Sequence, residues 1–194
     1  DETYFETTPY SILTPDGFPE MYIPEDNLLT QEGVFLGKKL FFDPILSSNN
    51  SISCASCHIQ ENSFSDPNQF SVGVSGDLGF RNAFSLVNIG WNTSFNWDGS
   101  SSSLENQVFE PVTNPIEMAN NWEQVEADLN ASSEYRDLFK QAFNIDCIDS
   151  IYIAKAIAQF ERTLISSNSR YDKWQRGEVM FTNEELDGFN IFNT

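Results

Sequence analysis

The fold of this chain is organised around residues 54–58, which read Cys54-Ala55-Ser56-Cys57-His58. The spacing C-x-x-C-H is the attachment signal for a c-type haem, since two thiols add across the haem vinyl groups and the next residue supplies an imidazole for the iron. A thioredoxin-like redox pair or half of a zinc site would also use C-x-x-C. Zinc needs further Cys or His ligands, but the chain has three cysteines and a single histidine. The spacing therefore predicts a covalent haem c held by Cys54, Cys57 and His58.

The second axial position of the iron is the next question that the sequence raises. His58 is the only imidazole, so no other histidine of this chain can bind the opposite face. That face is then open, bound by water, or bound by Met, Tyr, Lys or a terminus. Met118 is one candidate, although methionine near a haem is more often a packing residue. An open face favours peroxide chemistry, whereas a closed one is typical of electron carriers.

The composition and net charge of the chain argue against some classes of binding partner. The chain has 194 residues and a net charge of −19, from 29 acidic and 10 basic side chains. This charge argues against nucleic acid or an anionic membrane surface as partner, and it could attract a basic electron donor. No apolar run approaches the ~20 residues of a membrane span, and the N-terminus lacks a signal-peptide pattern. Because bacteria attach c-type haem after export, we expect a periplasmic or exported protein whose signal peptide has been removed. The third cysteine, Cys147, is expected to be a buried and inert thiol.

Helical periodicity occurs on both sides of a long irregular segment. Residues 1–26 have no sustained period, and residues 59–121 are rich in Gly, Asn, Ser, Asp and Pro, which predicts a long functional loop. A first helix is predicted from the N-cap Thr30 to the stop at Asp43-Pro44. Further helices are predicted over residues 122–129 and 133–143, after the N-cap Ser150, and after the capping box that begins at Thr182. The apolar positions of the first helix are Val34, Leu36, Gly37, Leu40 and Phe41, and those of the helix after Ser150 are Ile153, Ile157, Phe160 and Leu164.

Ordered motifs along the chain carry a family resemblance. They are Leu36–Pro44 (LGKKLFFDP), Ile52–His58 (ISCASCH), Arg81-Asn82, Trp97-Asp98-Gly99, Asn114–Met118 (NPIEM) and Phe160–Leu164 (FERTL). This pattern resembles the bacterial di-haem cytochrome c peroxidase and MauG family over about residues 28–192. The resemblance implies an all-α, cytochrome c-like haem domain with long irregular loops. It divides the chain into an N-terminal arm (1–26), a peroxidatic haem domain (27–180) and the start of a second cytochrome c domain (181–194), whose own C-x-x-C-H and second haem are not in this sequence.

The resemblance also assigns catalytic residues. Glu117 corresponds to the distal carboxylate, Gln107 to the distal amide that orients peroxide, and Trp97 to a tryptophan that relays electrons between the two haems. On the sequence alone, Glu117 could be one of many surface charges. Gln107 could lie on a helix surface, and Trp97 could be a buried aromatic.

Two further residues fall at positions that relatives use for ligands. Asn82 matches a calcium ligand at the domain interface, but one side chain is far short of the six to eight oxygens that calcium needs. Arg81 could pair with a haem propionate or be an ordinary surface arginine.

One departure from the family pattern bears on activity. Many of these peroxidases have a second histidine after the attachment motif, but residues 70–79 contain none. We therefore expect an iron that opens without reductive activation, a trait shared with the MauG-like branch. The resemblance implies reduction of hydrogen peroxide with electrons from a second haem and a small donor protein, a cytochrome c or a cupredoxin, and is compatible with a homodimer. The alternatives are an electron-transfer cytochrome c domain and MauG-like, peroxide-driven oxidation of a protein substrate.

Overall fold

The computed structural model describes residues 5–194, and these residues form helices and loops without a β-sheet. The predicted all-α fold is therefore confirmed for this part of the chain. The helices are α1 (Gln31–Phe42), α2 (Cys54–Cys57), α3 (Leu104–Gln107), α4 (Phe109–Thr113), α5 (Trp122–Ala131), α6 (Ser133–Phe143), α7 (Ser150–Glu161), α8 (Arg170–Gln175) and α9 (Asn183–Phe192). No helix within residues 5–194 is long and apolar enough to cross a membrane.

The core is built around the crossing of α1 and α7, which also contact α6 and α5 respectively. Gly37 allows the close approach of the two helices, because a Cβ at this position would lie 1.8 Å from the carbonyl oxygen of Ala156. Beside this contact, the rings of Phe41 and Phe160 have centroids 5.2 Å apart. As predicted, Thr30 caps α1, its side-chain oxygen accepting a hydrogen bond from the amide of Gly33. The apolar face that the periodicity of α1 predicts is thus packed against α7.

The C-terminal helices follow the sequence prediction with two differences. Asp149 rather than Ser150 caps α7, accepting hydrogen bonds from the amides of Ile151 and Tyr152. Helix α8 has no counterpart in the predicted elements, since its six residues are too short to show an apolar period. Helix α9 begins with the predicted capping box, in which the amide of Thr182 donates to Glu185.

The two predicted irregular regions lie against this helical core. Residues 5–26 contain no helix, and the indole of Trp91 donates a 2.7 Å hydrogen bond to the carbonyl of Pro19. Residues 1–4 of the predicted arm lie outside the described residues. Residues 59–121 contain only one-turn 3-10 helices and the short α3 and α4, as the composition predicts.

The expectation for Cys147 is wrong, because its side chain is exposed. It lies in the link between α6 and α7, where the neighbouring Ile148 enters the core. Ile148, the larger apolar residue, therefore occupies the inward-facing position of that link, and Cys147 faces outward.

Candidate haem-binding site

Helix α2 presents the two cysteines of the attachment motif on a single turn. The amide of His58 donates to the carbonyl of Cys54 at 2.9 Å, which places the imidazole directly after that turn. Both thiols are free, and burial raises the pKa of Cys54 and of Cys57. A redox-active C-x-x-C pair needs a lowered thiol pKa. The site therefore does not have the electrostatics of a thioredoxin-like pair.

The ring of His58 is oriented for metal binding through Nε2. Its Nδ1 lies 3.0 Å from the carbonyl oxygen of Phe64, and a carbonyl can only accept, so Nδ1 carries the proton. Ser63 and Phe64 both have positive φ, a tight turn that brings this carbonyl back to the ring. Burial lowers the pKa of His58 and favours the neutral imidazole. Phe84 packs edge-on against the ring with centroids 5.6 Å apart. The lone pair on Nε2 thus remains available to a metal.

A cavity of about 500 Å³ brings the sequence-predicted residues together. Its lining includes Cys54, Cys57, His58, Arg81, Asn82, Trp97, Gln107, Glu117 and Met118. A volume of this order is typical of cofactor pockets. Because two free thiols and an imidazole with an available nitrogen open into one cavity, these residues fit a covalently attached haem.

Glu117 is fixed in this cavity from two directions. The amide nitrogen of Asn114 donates to its Oε1 at 2.9 Å, and its main-chain carbonyl accepts from the amide of Val74 at 2.8 Å. Gly73 allows that second contact, since a Cβ there would lie 1.6 Å from the carbonyl oxygen of Ile116. The carboxyl group is exposed to the cavity, but the surrounding protein desolvates it, which raises its pKa, and the nearby charge of Glu110 raises it further. Glu117 is thus an acid that faces the cavity and holds its proton more readily than a surface carboxylate.

Gln107 and Met118 line the same cavity in different settings. Gln107 is the last residue of α3 and is half-buried. Met118 is buried and also belongs to the main apolar cluster, in contact with the core. That packing is the ordinary structural role expected for a methionine near a haem.

Trp97, Asn82 and Arg81 form one rim of the cavity. The alternative of a buried Trp97 is wrong, since this side chain is 63% exposed and is held by a 2.8 Å hydrogen bond from its indole to the carbonyl of Asn82. Arg81 pairs with Asp98 at 2.7 Å, and this hydrogen bond lowers the pKa of Asp98 to about 2. Both partners are exposed, so the pair is a surface ion pair on the cavity wall.

Asn82 has few partners suited to calcium. Its Nδ2 donates to the carbonyls of Asp66 and Asn68, while its Oδ1 accepts, from the described part of the chain, only a long 3.4 Å hydrogen bond from Ser65. Within the part of the chain that the structure describes, no group of three or more His, Cys, Asp or Glu side chains could hold a metal ion. The side-chain oxygen of Asn82 is available, but it stands alone.

Sequence reasoning missed three residues of the site. Asn114 and Glu161 lie within the quoted motifs but had no predicted role, and Gly73 carried no signal because a lone glycine is common in loops. Glu161 is only 4% exposed, its Oε2 has no hydrogen-bond partner among residues 5–194, and burial raises its pKa to about 8. It lines the cavity from α7, the last residue of that helix. A buried acid of this kind can be recognised only after the helix is placed.

Comparison with known proteins agrees with this geometry. The family model for the di-haem cytochrome c peroxidase matches residues 31–180. A cytochrome c551 peroxidase from Nitrosomonas europaea is 40% identical over 158 residues, which cover 81% of this chain and 47% of the relative. The methylamine utilization protein MauG of Methylorubrum extorquens is 39% identical over 180 residues, which cover 92% of this chain and 50% of the relative.

A solved structure shares the same architecture. It is a MauG-like protein associated with microbial copper homeostasis, which superposes with a TM-score of 0.86 at 34% identity, over 94% of this chain and 55% of that chain. This chain therefore spans about half the length of the relatives that it matches.

Proposed function

This chain belongs to the di-haem cytochrome c peroxidase family, and we propose that it is the peroxidatic haem domain of an enzyme that reduces hydrogen peroxide to water. The observation that carries this proposal is that the carboxyl group of Glu117 and the ring of His58 line one cavity. A bound haem c supplies the redox-active iron. The protein supplies attachment, proton transfer and orientation of the substrate.

His58 and the two cysteines hold the cofactor. Cys54 and Cys57 would form the thioether bonds to the haem, and Nε2 of His58 would bind its iron. The hydrogen bond from Nδ1 to the carbonyl of Phe64 fixes the ring plane and increases the electron donation of the other nitrogen.

Glu117 moves the proton that peroxide cleavage requires. Reduction of one hydrogen peroxide consumes two electrons and two protons and yields two water molecules. Glu117 takes a proton from one peroxide oxygen and delivers it to the other, which leaves as water. Its raised pKa suits this role, because a group that exchanges a proton works best when its pKa is near the working pH. Asn114 holds the carboxyl group in place.

Gln107 orients the peroxide, and Trp97 passes electrons to the site. An amide both donates and accepts, so Gln107 positions the ligand without removing its proton. Trp97 lies exposed on the cavity rim, where a second haem domain could contact it. Arg81 on the same rim can pair with a haem propionate by exchanging its bond to Asp98.

Replacing Glu117 with Gln tests the proposed proton transfer. The amide keeps the size of the side chain but cannot exchange the proton, so peroxide turnover should fall by about 10² to 10⁴-fold with haem content unchanged. The exposed Glu123, on α5, gives a matched control when changed to Gln. Unchanged turnover in the Glu117 variant would exclude this role.

We propose separately that the face of the iron opposite His58 is open to peroxide, which a spectrum can test. The segment from Phe70 to Gly79 forms a tight hairpin on the cavity wall, with a bridge between Val72 and Leu78, and it contains no histidine. The ferric protein should therefore be high-spin as purified and should change on addition of hydrogen peroxide. A low-spin spectrum that peroxide leaves unchanged would indicate an internal ligand such as Met118 and an electron-transfer role.

The likeness to MauG supports a second candidate function, peroxide-driven oxidation of a protein substrate. The site chemistry is the same, and only the electron source differs. Steady-state turnover with reduced cytochrome c or a reduced cupredoxin, compared with turnover on candidate protein substrates, separates the two functions.

We further propose that the protein works in the periplasm. We also propose that Asn82 contributes one oxygen to a calcium site that is completed by water and by a second domain. The long 3.4 Å contact of Oδ1 supports the availability of this oxygen. Replacement of Asn82 by Ala should weaken calcium binding measured by calorimetry on the holoprotein. Sedimentation of the same sample tests the homodimer.

A further inference from the structure

A buried ion pair ties the short helix α3 to the end of α7. The guanidinium of Arg162 donates to both carboxylate oxygens of Glu105, at 2.7 and 3.2 Å. The two side chains are only 5% and 17% exposed. Burial raises the pKa of Glu105, but the hydrogen bond and charge of Arg162 outweigh it, and the net pKa is lowered. The pair is therefore charged, with bidentate geometry that specifies orientation as well as contact.

The same carboxylate is held by the segment before α1. Asn27 donates to Oε1 of Glu105 at 2.6 Å and accepts from Nε2 of Gln159 at 2.9 Å. Gln159 in turn accepts from the amide of Thr30. Glu105 is thus the point at which α3 joins a polar network that links α7 to the residues leading into α1.

Helix α3 needs such an anchor because it is too short to hold itself. It has four residues, and a single helical turn is unstable without tertiary contacts. Leu104 and Val108 are buried on its core side. Glu105 and Gln107 are two positions apart, about 200° around the helix axis, so they flank that core side. The anchor faces α7, and Gln107 lines the cavity.

We propose that the Glu105–Arg162 pair is a positioning device that sets where the amide of Gln107 lies in the cavity. The inference rests on the proposed function of Gln107 as the group that orients the ligand. The simple alternative is that the pair only stabilises the fold.

Carbon monoxide bound to the reduced holoprotein is the probe that separates these possibilities. A hydrogen-bond donor near the bound ligand lowers the C–O stretching frequency, so the infrared band reports the position of the amide. Replacement of Gln107 by Ala should raise the frequency and provides the reference shift. The double variant Glu105→Gln/Arg162→Gln, which leaves no unpaired buried charge, should move the band in the same direction by about half of that shift or more, and broaden it.

Two further variants make the test specific. Arg162→Lys keeps the charge but loses the bidentate fork, so it should give a smaller shift of the same sign. Tyr135→Phe removes a partly buried 2.6 Å hydrogen bond to Asp43, away from α3, and should lower the melting temperature without moving the band. A band that responds to Gln107→Ala but not to the double variant overturns the positioning role alone. A band that does not respond to Gln107→Ala overturns the proposed role of Gln107 as well.

Discussion

Two regions of the molecule meet at the cavity and are held by different interactions. The helical frame consists of α1, α6 and α7, and the loop wall consists of residues 59–121. The frame is packed from fully buried apolar side chains, among them Leu36, Leu40 and Phe139. The wall also contributes buried apolar side chains, such as Leu104 and Val112, but its loops are in addition held by hydrogen bonds to main-chain groups, such as those from Asn82 to the carbonyls of Asp66 and Asn68. The frame provides the stability, and the wall places polar groups within the cavity.

Each region nevertheless depends on one glycine for a close backbone contact. In the frame, a Cβ on Gly37 would lie 1.8 Å from the carbonyl oxygen of Ala156, and in the wall, a Cβ on Gly73 would lie 1.6 Å from that of Ile116. The steric conflict that an alanine would introduce is therefore of similar size in the two regions. The comparison therefore predicts that the same substitution has different consequences in the two regions.

Gly37→Ala should have the largest effect on stability. The added methyl group forces α1 and α7 apart over most of their contact, which should cost roughly 3 to 5 kcal/mol of the free energy of unfolding. Chemical denaturation of the holoprotein measures the loss. Gly188→Ala in α9 is the control, because a Cβ there meets no atom of the described residues within 4 Å, and it should be neutral or slightly stabilising. Equal stability of the two variants would contradict the role given to the helix crossing.

The pH dependence of the stability tests the burial of Glu161, which lies where the frame meets the cavity. Its pKa is about 8 in the folded protein against an ordinary 4.5, so between these values the folded state holds a proton that the unfolded chain has released. Stability from this group is therefore fully present below pH 4.5 and is lost as the pH rises through 8. Glu161→Gln should remove that loss, so between pH 5 and pH 9 the free energy of unfolding of the parent should fall by about 4 kcal/mol relative to that of the variant.

Urea denaturation at several pH values gives this difference directly. The exposed Glu123→Gln variant controls for the removal of one negative charge. Parallel pH profiles of the parent and the Glu161 variant would mean that the buried acid gains a partner in the holoprotein.

Gly73→Ala should lower the free energy of unfolding less than Gly37→Ala does, but it should lower peroxide turnover more. The wall can shift locally, so we expect a loss of about 1 to 3 kcal/mol. The same shift moves the backbone that holds Glu117, and a displacement of about 1 Å can lower turnover by about 10²-fold. Gly79→Ala in the same loop is the control, since its nearest contacts lie at 3.8 Å. A variant with lowered stability and full peroxide turnover would contradict the division between frame and wall.

Arg81→Ala should have the smallest effect on stability. The ion pair with Asp98 is exposed on both sides, and such pairs contribute little because water and salt screen them. The melting temperature should not change within error at 0.15 M salt. A clear loss would mean that the rim is more rigid than its exposure indicates.

Local signals explain which elements the sequence predicts correctly. The caps Thr30 and Thr182 lie within three residues of the groups that they bind, so their chemistry is visible in a short window. Helix α8 is too short for an apolar period. Asp149 and Ser150 are both good capping residues, and only the backbone geometry decides between them.

The candidate site follows a similar division. The attachment motif is local, because two thiols and an imidazole on one turn are sufficient to predict haem. The ordered motifs point to Glu117 and Gln107 as candidate residues through their resemblance to a family. The exposure of Trp97, the isolation of Glu161 and the anchoring of Glu105 by Arg162 depend on contacts between distant segments.

The sequence by itself determined the covalent haem motif, the helical periods, the caps at Thr30 and Thr182 and the family, because each is encoded in the spacing of nearby residues or in ordered motifs. The tertiary structure alone decided the tautomer of His58, the desolvation of Glu117 and Glu161, and the contacts that only Gly37 and Gly73 allow. The tautomer follows from the turn at Ser63 and Phe64 that brings a carbonyl back to the ring. The other properties arise from the low-dielectric surroundings and from steric contacts between segments far apart in the chain, neither of which exists until the helices and loops have packed.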